Sequence, residues 1–177
     1  MSKIPQITQS ELHAMLDYDP TTGVFTWRHR SDCRPHWNGR YAGKVAGYAR
    51  EATGGGMYWS VRIHDWPFHA GPLAWFYVTG KWPENLIDHK DGNGLNNRWV
   101  NLRPATKRQN AANTGAPRNN TSGFKGVSLL KKTGRYRAYI TQDGRQRSLG
   151  NYDTAEAAHA AYAAAAAEVY GEFARAK

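Results

Sequence analysis

Between Ile87 and Asn113 the chain reads IDHKDGNGLNNRWVNLRPATKRQNAAN. This stretch sets an Asp-His pair, a turn cluster, an Asn beyond the turn and another Asn on a short helix at spacings suited to breaking a phosphodiester. Such chemistry needs a base for the attacking water and a cation to neutralise charge on the phosphate and the leaving oxygen. His89 is the natural base, because imidazole titrates near neutrality. Carboxylate and amide oxygens suit a hard divalent cation, so Asp88 and Asn110 are the expected ligands for Mg2+, with Mn2+ as the alternative. Asn101 both donates and accepts, and is expected to orient the imidazole and close the loop. An Asp-His pair alone is usually a solvated turn, and Asn-Leu-Arg an ordinary strand end. The inference rests on the whole set in this order.

Local signals bring these residues together. Asp88 and His89 end an apolar-rich approach from Pro83 to Ile87 and precede Asp91, Gly92 and Asn93, which places them at the lip of a β-hairpin. Trp99 to Leu102 is the expected return strand, carrying Asn101 back towards His89. Thr106, with Gln109 three residues on, forms a capping box that starts a helix after Pro104, and Asn110 falls about one turn inside it. Leu73 to Val78 is expected as a helix packed beneath the hairpin.

From about Phe68 to Asn113 the pattern DH, turn, NNR, NL and helical Asn resembles the HNH endonucleases, also called ββα-metal nucleases, and in particular the phage-type HNH homing endonucleases. The resemblance implies a metal-dependent DNA endonuclease that leaves a 5′-phosphate and a 3′-hydroxyl. It makes Asp88 the first metal ligand, His89 the general base, Asn101 the central Asn and Asn110 the second ligand, where many members carry His.

Composition agrees with a polyanionic partner. The 177 residues include 24 Lys+Arg against 14 Asp+Glu, a formal net charge of +10, with a sequence pI near 9.9. Charge alone does not separate DNA from RNA or an acidic membrane. A single cysteine, Cys33, excludes an intramolecular disulfide framework and a multi-cysteine zinc site. The expected setting is the reducing cytoplasm, that of the host cell if the gene is a phage's, and the chain is not expected to be secreted. It shows no charged leader with an apolar core, and its alanine tract is too weakly hydrophobic to span a bilayer, so no membrane association is expected. No obligate protein partner is evident. His13, His29 and His36 read as surface residues, while His64 and His69 flank an aromatic patch where packing and phosphate contact both stay open.

The first third is rich in aromatics and turns. Ser10 is expected to cap a short helix carrying Leu12, Met15 and Leu16. Asp19, Pro20, Thr22 and Gly23 turn into a strand from Val24 to Trp27. Gly54-Gly55-Gly56 precedes a strand-like run from Met57 to Ile63. Without a following Gly-Lys-Ser/Thr it reads as a hairpin turn and not a phosphate cradle. Arg28, Arg30, Arg34, Arg40 and Lys44 suit phosphate contact and a solvated surface equally well.

After a polar TGAPRNNT stretch that reads as a linker, the pattern changes. Strands are expected from Val127, over Tyr136–Thr141 and over Gln146–Leu149, with Gly134 and Asp143-Gly144 as turns. Asp153 with Glu156 is expected to cap an alanine-rich helix that runs to Tyr170. The segment Gly123–Ala174, with GFKGV, RYRAYI, SLGNYDTAEAA and AAY, looks like the DNA-binding domain of ethylene-response-factor transcription factors. That resemblance implies a three-stranded sheet entering the major groove with a helix behind it. Lys125, Arg135, Arg137, Tyr139, Thr141, Arg145 and Arg147 are the expected DNA contacts. Tyr139, Thr141 and Ser148 stand where that family usually has Glu, Arg and Trp, so the target sequence does not carry over.

The combined expectation is an α+β protein in four parts. These are an N-terminal β-rich extension (1–66), a ββα-metal HNH core (67–115), a linker (116–122), and a small three-stranded antiparallel sheet packed on one helix (123–177). The part assigned the cut is the core, and its partner is double-stranded DNA. Two alternatives compete with a nuclease: a non-catalytic sequence-specific DNA-binding protein on a nuclease scaffold, and a basic RNA-binding or ribosome-associated protein.

Overall fold

A computed structural model describes residues 7–53, 55–117, 119–142 and 144–175. It mixes helix and sheet, and it divides into two compact units, Met1–Ala105 and Thr106–Lys177.

In the first unit, α1 (Gln9–Met15) starts at Thr8, not at Ser10. Thr8 and Glu11 form a reciprocal capping box, the Glu11 amide donating to Thr8 Oγ1 and the Thr8 amide to the Glu11 carboxylate. Next comes the hairpin of β1 (Leu16–Asp19) and β2 (Val24–Trp27). Its turn is knit by the Asp19 carboxylate, which accepts from the Thr21 hydroxyl and amide and the Thr22 hydroxyl; these bonds hold its pKa down to about 2. Helix α2 (Pro35–Tyr41) buries none of its residues. Strands β3 (Tyr48–Glu51), β4 (Met57–Ile63) and β5 (Trp66–His69) form an antiparallel sheet in that order. The β4–β5 turn, His64-Asp65, has positive φ at both residues, the sense that matches strand twist.

Helix α3 (Ala70–Thr79) is longer than the span expected from Leu73, and ends at Gly80 in the left-handed region. It leads to the hairpin of β6 (Leu86–His89) and β7 (Leu102–Ala105), paired with Asp88 opposite Arg103 and His89 opposite Leu102. Trp99–Asn101 is a 3-10 turn where a strand was expected, and the return strand starts only at Leu102. Leu12, Leu16, Phe25, Val61, Ile63 and Leu73 are fully buried in the core of this unit. Each such side chain contributes roughly 1.5–3 kcal/mol on burial.

The second unit opens on α4 (Lys107–Asn113), started by the Thr106/Gln109 capping box as the sequence indicates. Strands β8 (Val127–Leu130), β9 (Arg135–Gln142) and β10 (Arg145–Tyr152) form an antiparallel sheet with β9 central. Asp143, expected in the β9–β10 turn, and Gly54 of the glycine run lie outside the described residues. Helix α5 (Ala155–Tyr170) is capped by Thr154, whose Oγ1 accepts from the Ala157 amide, and not by Asp153. Asp153 pairs instead with Arg135 at 2.9 Å.

Alanine lets α5 lie close on the sheet. Ala158 and Ala166 are fully buried against Val127, Ala138 and Ile140, while Tyr162 fills the remaining space.

The division into units falls within the span assigned to the core, ahead of the stretch read as a linker. The Lys125 ammonium, just before β8, donates to the carbonyls of Ala111 (3.2 Å), Ala112 (2.5 Å) and Thr114 (2.7 Å). A cation at a helix C-terminus satisfies carbonyls that have no partner within the helix and complements its dipole. Arg108 of α4 also lies over the Tyr170 ring, 5.8 Å from its centroid. Thus α4 packs with α5 and the 3-10 turn that follows it, Gly171–Phe173.

Gly126 has φ +71°, and a Cβ placed there would lie 2.1 Å from the buried Tyr162 ring. Gly134 has nearly the same φ, +70°, with nothing nearby. Urea denaturation should therefore separate two costs. Gly134→Ala should destabilise by about 1–2 kcal/mol from backbone strain alone. Gly126→Ala should add about 1–3 kcal/mol for overpacking. Equal losses in the two variants would show that the Gly126–Tyr162 contact does not constrain the fold.

Candidate active site and nucleic-acid interface

The β6–β7 hairpin presents Asp88 and His89 on adjacent positions of one strand. Asp88 is only 4% exposed, and Arg103 Nε donates to its Oδ2 at 2.9 Å across the hairpin. Both partners are buried, so removing either would leave a buried charge, at a cost of about 3–5 kcal/mol. A carboxylate has the oxygen chemistry of a hard-cation ligand.

Asn101 closes the loop between the two strands. Its Nδ2 donates to Asp91 Oδ1 (3.0 Å) and to the Asn96 carbonyl (2.7 Å), and its Oδ1 accepts from the Asp91 amide (3.1 Å). The loop's own side chains add to this: Asp91 accepts from the Asn93 amide (2.8 Å) and from Asn96 Nδ2 (2.6 Å). Burial works to raise the Asp91 pKa, but hydrogen bonds from Asn93, Asn96 and Asn101, with His89 nearby, outweigh it and hold it below the usual carboxylate range.

The side-chain bonds of Asn101 run to Asp91 and Asn96, while Asn97 bonds the imidazole, its Oδ1 lying 3.1 Å from His89 Nε2. Asn97, Asp91 and Arg103 are the site residues that sequence reasoning missed. Asn97 stood in the NNR motif, and Asp91 passed as turn chemistry. Nothing in the sequence marked Arg103 except its place in the register opposite Asp88.

Asn110 lies on α4, in the second unit, with its amide bonded to the Thr106 carbonyl. HNH nucleases generally use a divalent metal. A carboxylate and an amide oxygen fit a hard cation that draws its remaining ligands from water and phosphate. Among the described residues no group of three or more His, Cys, Asp or Glu gathers into the kind of cage that structural zinc takes. No described helix is long and apolar enough to cross a membrane.

In the C-terminal sheet, directly opposed residues project to the same side. Ala138 and Ile140 face α5, so Arg137, Tyr139 and Thr141 lie on the other face. They are joined there by Ser128 and Asn151 opposite Arg137, Ser148 opposite Tyr139 and Gln146 opposite Thr141. Arg147 is opposite Ile140 and Arg145 opposite Gln142, which puts both on the helix side of the sheet although they are exposed. A bulge between Ser148 and Gly150 lets Leu149 pack on the core.

Two other expected DNA contacts are engaged elsewhere. All three donors of Lys125 serve carbonyls, and burial brings its pKa down to about 8, so no N–H of this ammonium remains for a phosphate. Arg135 pairs with Asp153 and donates to the Asn151 carbonyl. Tyr139 and Thr141 border a cavity of about 300 Å³ whose walls include Arg108 and Ala111 of α4.

The sequence model of the HNH endonuclease family matches residues 70–112, from the first residue of α3 into α4. Protein 3.8 of Escherichia phage T7 is 37% identical over 103 residues, covering 58% of this chain and 84% of that protein. The uncharacterized HNH endonuclease L560 of Acanthamoeba polyphaga mimivirus is 37% identical over 98 residues, 55% of this chain and 50% of its own. The AP2-like ethylene-responsive transcription factor TOE2 of Arabidopsis thaliana is 42% identical over 55 residues, 31% of this chain but only 11% of that protein. No solved structure matches. With the DH, NNR and NL residues on one hairpin, the family match spanning it and a phage relative covered over most of its length, the chain belongs to the HNH endonuclease family.

Proposed function

We propose that this protein is a metal-dependent DNA endonuclease of the homing type, in which His89 is the general base and Asp88 and Asn110 hold one divalent cation, Mg2+ or Mn2+. The observation that carries this reading is the pairing on β6: a buried carboxylate beside an imidazole whose ring is held by a neutral amide, on a loop closed by Asn101. His89 takes a proton from water, and the resulting hydroxide attacks phosphorus in line with the leaving oxygen. Asn101 fixes the loop and with it the strand end that carries His89. When bound, the cation supplies charge neutralisation at the phosphate and the departing oxygen. A 5′-phosphate and a 3′-hydroxyl are the expected ends.

The likeness to AP2-type transcription factors and the register of the C-terminal sheet support assigning DNA contact to the second unit. On this reading Arg137, Tyr139, Thr141, Gln146 and Ser148 meet the duplex, and Arg145 and Arg147 contribute long-range attraction from the opposite side. Phosphate contacts supply most of the affinity, and base-edge contacts supply register.

A plasmid-nicking assay with and without Mg2+ tests the catalytic assignment. His89→Ala should bind DNA normally but cut roughly 10²–10⁴-fold more slowly. Asp88→Asn, which keeps an oxygen towards Arg103, and Asn110→Ala should each abolish metal-dependent cutting, while Asn110→His should keep part of it. Full activity in Asn110→Ala would remove it from the ligand set.

Binding measured across a salt series tests the sheet. Arg137→Ala should weaken binding by about 1–3 kcal/mol if it reads a base edge, or reduce the log–log salt slope by about 0.9 if it touches a phosphate. Arg147→Ala should leave base discrimination intact. Unchanged binding in Arg137→Ala would assign DNA contact to another surface.

A further inference from the structure

We infer that Asn97 is a positioning residue for His89. It holds the imidazole in the tautomer whose proton sits on Nε2, and the N-terminal hairpin in turn holds Asn97. This inference rests on the reading of His89 as the base.

The amide's own bonding settles which of its atoms faces the ring. Asn97 Nδ2 donates to the Leu95 carbonyl at 3.3 Å, which turns Oδ1 towards His89 Nε2 at 3.1 Å. A carbonyl oxygen only accepts, so in the neutral imidazole Nε2 must carry the hydrogen and Nδ1 the lone pair. The ring nitrogen of basic character is then Nδ1. Asn97 is 2% exposed, so water does not compete for this bond, and a neutral acceptor orients the ring without adding charge beside the phosphate. The N-terminus of α3 closes over the pair: a Cβ on Gly71 would lie 3.4 Å from His89 Cε1 and 3.6 Å from Asn97 Oδ1.

The backbone of Asn97 is held from the other side by the segment DYDPTTGVF, which carries no catalytic chemistry of its own. Tyr18 donates its hydroxyl to the Asn97 carbonyl at 2.7 Å in a buried position. Burial, together with the charge of Asp19, pushes the phenol well above its ordinary pKa, so Tyr18 stays a neutral donor. The Trp99 amide donates to the Pro20 carbonyl at 2.9 Å. Gly23 lies flat on the same peptide: a Cβ there would be 2.3 Å from the carbonyl carbon of Asn97 and 2.4 Å from the amide nitrogen of Arg98. Only glycine permits that approach, and its φ of +77° favours glycine as well. The β1–β2 hairpin is thus a buttress that places Asn97, and through it the ring.

The test uses the full chain and two readouts. The first is the His89 tautomer by 15N–1H NMR without DNA or metal, and the second is kcat and KM for nicking. Wild type should show the proton on Nε2. Asn97→Leu, which removes the acceptor, should show mixed tautomers and a kcat lower by roughly 10–100-fold at little-changed KM, the range for partners that orient a functional histidine. Asn97→Asp retains an oxygen acceptor and should keep the Nε2 proton and cut faster than Asn97→Leu. A wild-type proton on Nδ1, or an Asn97→Leu variant with wild-type tautomer and kcat, would overturn the inference. If Asn97→Leu does not fold, the wild-type tautomer and the Asp variant decide it. The spectroscopic result does not depend on cleavage, so an error about His89 as base would appear separately, as normal cutting by His89→Ala.

Discussion

The candidate site depends first on one side-chain amide, that of Asn101. Residues 90–98 contain aspartate, asparagine and glycine but little that packs, so hydrophobic burial does not hold this loop. Asn101 replaces packing with three hydrogen bonds, donating twice and accepting once, to Asp91 and Asn96. Each bond contributes only about 1 kcal/mol net, but leaving such buried groups unpaired costs about 1–3 kcal/mol apiece, so the loop has one well-satisfied conformation. That conformation sets the position of Asn97, and Asn97 sets the ring of His89.

One surface outside the hairpin serves this arrangement. The N-terminal hairpin presses Gly23 and Tyr18 against the Asn97 peptide, so an element that could be taken for an accessory extension belongs to the support of the site. Helix α4, by contrast, is built into the C-terminal unit through Lys125 and the Arg108–Tyr170 contact. The boundary between the two units therefore does not follow the sequence motif. The helix that carries Asn110 folds with the module assigned to DNA contact.

Much of this was legible in the sequence wherever a local rule decides the outcome. The Thr106/Gln109 box, the β2 strand after its Asp-Pro-Thr-Thr-Gly turn, and the three strands and alanine helix of the second unit follow from spacing and turn chemistry. Caps were less legible: Thr8 and Thr154 outcompeted Ser10 and Asp153, because which of two neighbouring polar residues reaches the N3 amide depends on the incoming chain direction. Trp99–Asn101 read as a strand from its apolar residues. In the structure the loop bonds of Asn101 wind it into a 3-10 turn. The roles of Asn97, Arg103 and Lys125 were not legible at all. Each is defined by a partner distant in sequence or across a strand pair: Asn97 by Tyr18, Arg103 by Asp88, Lys125 by the end of α4. The β9–β10 register, which moves Arg145 and Arg147 to the helix side, likewise follows from pairing and not from composition.

In the proposed function a held imidazole at position 89 accepts the proton of the attacking water. Chemical rescue measures this directly, by following nicking of plasmid DNA in saturating Mg2+ by a His89→Gly variant as free imidazole is added. Cleavage should return with imidazole concentration, in proportion to its unprotonated form, while DNA affinity stays unchanged. A variant that binds DNA normally, remains folded and cuts at one constant rate at every imidazole concentration would contradict it.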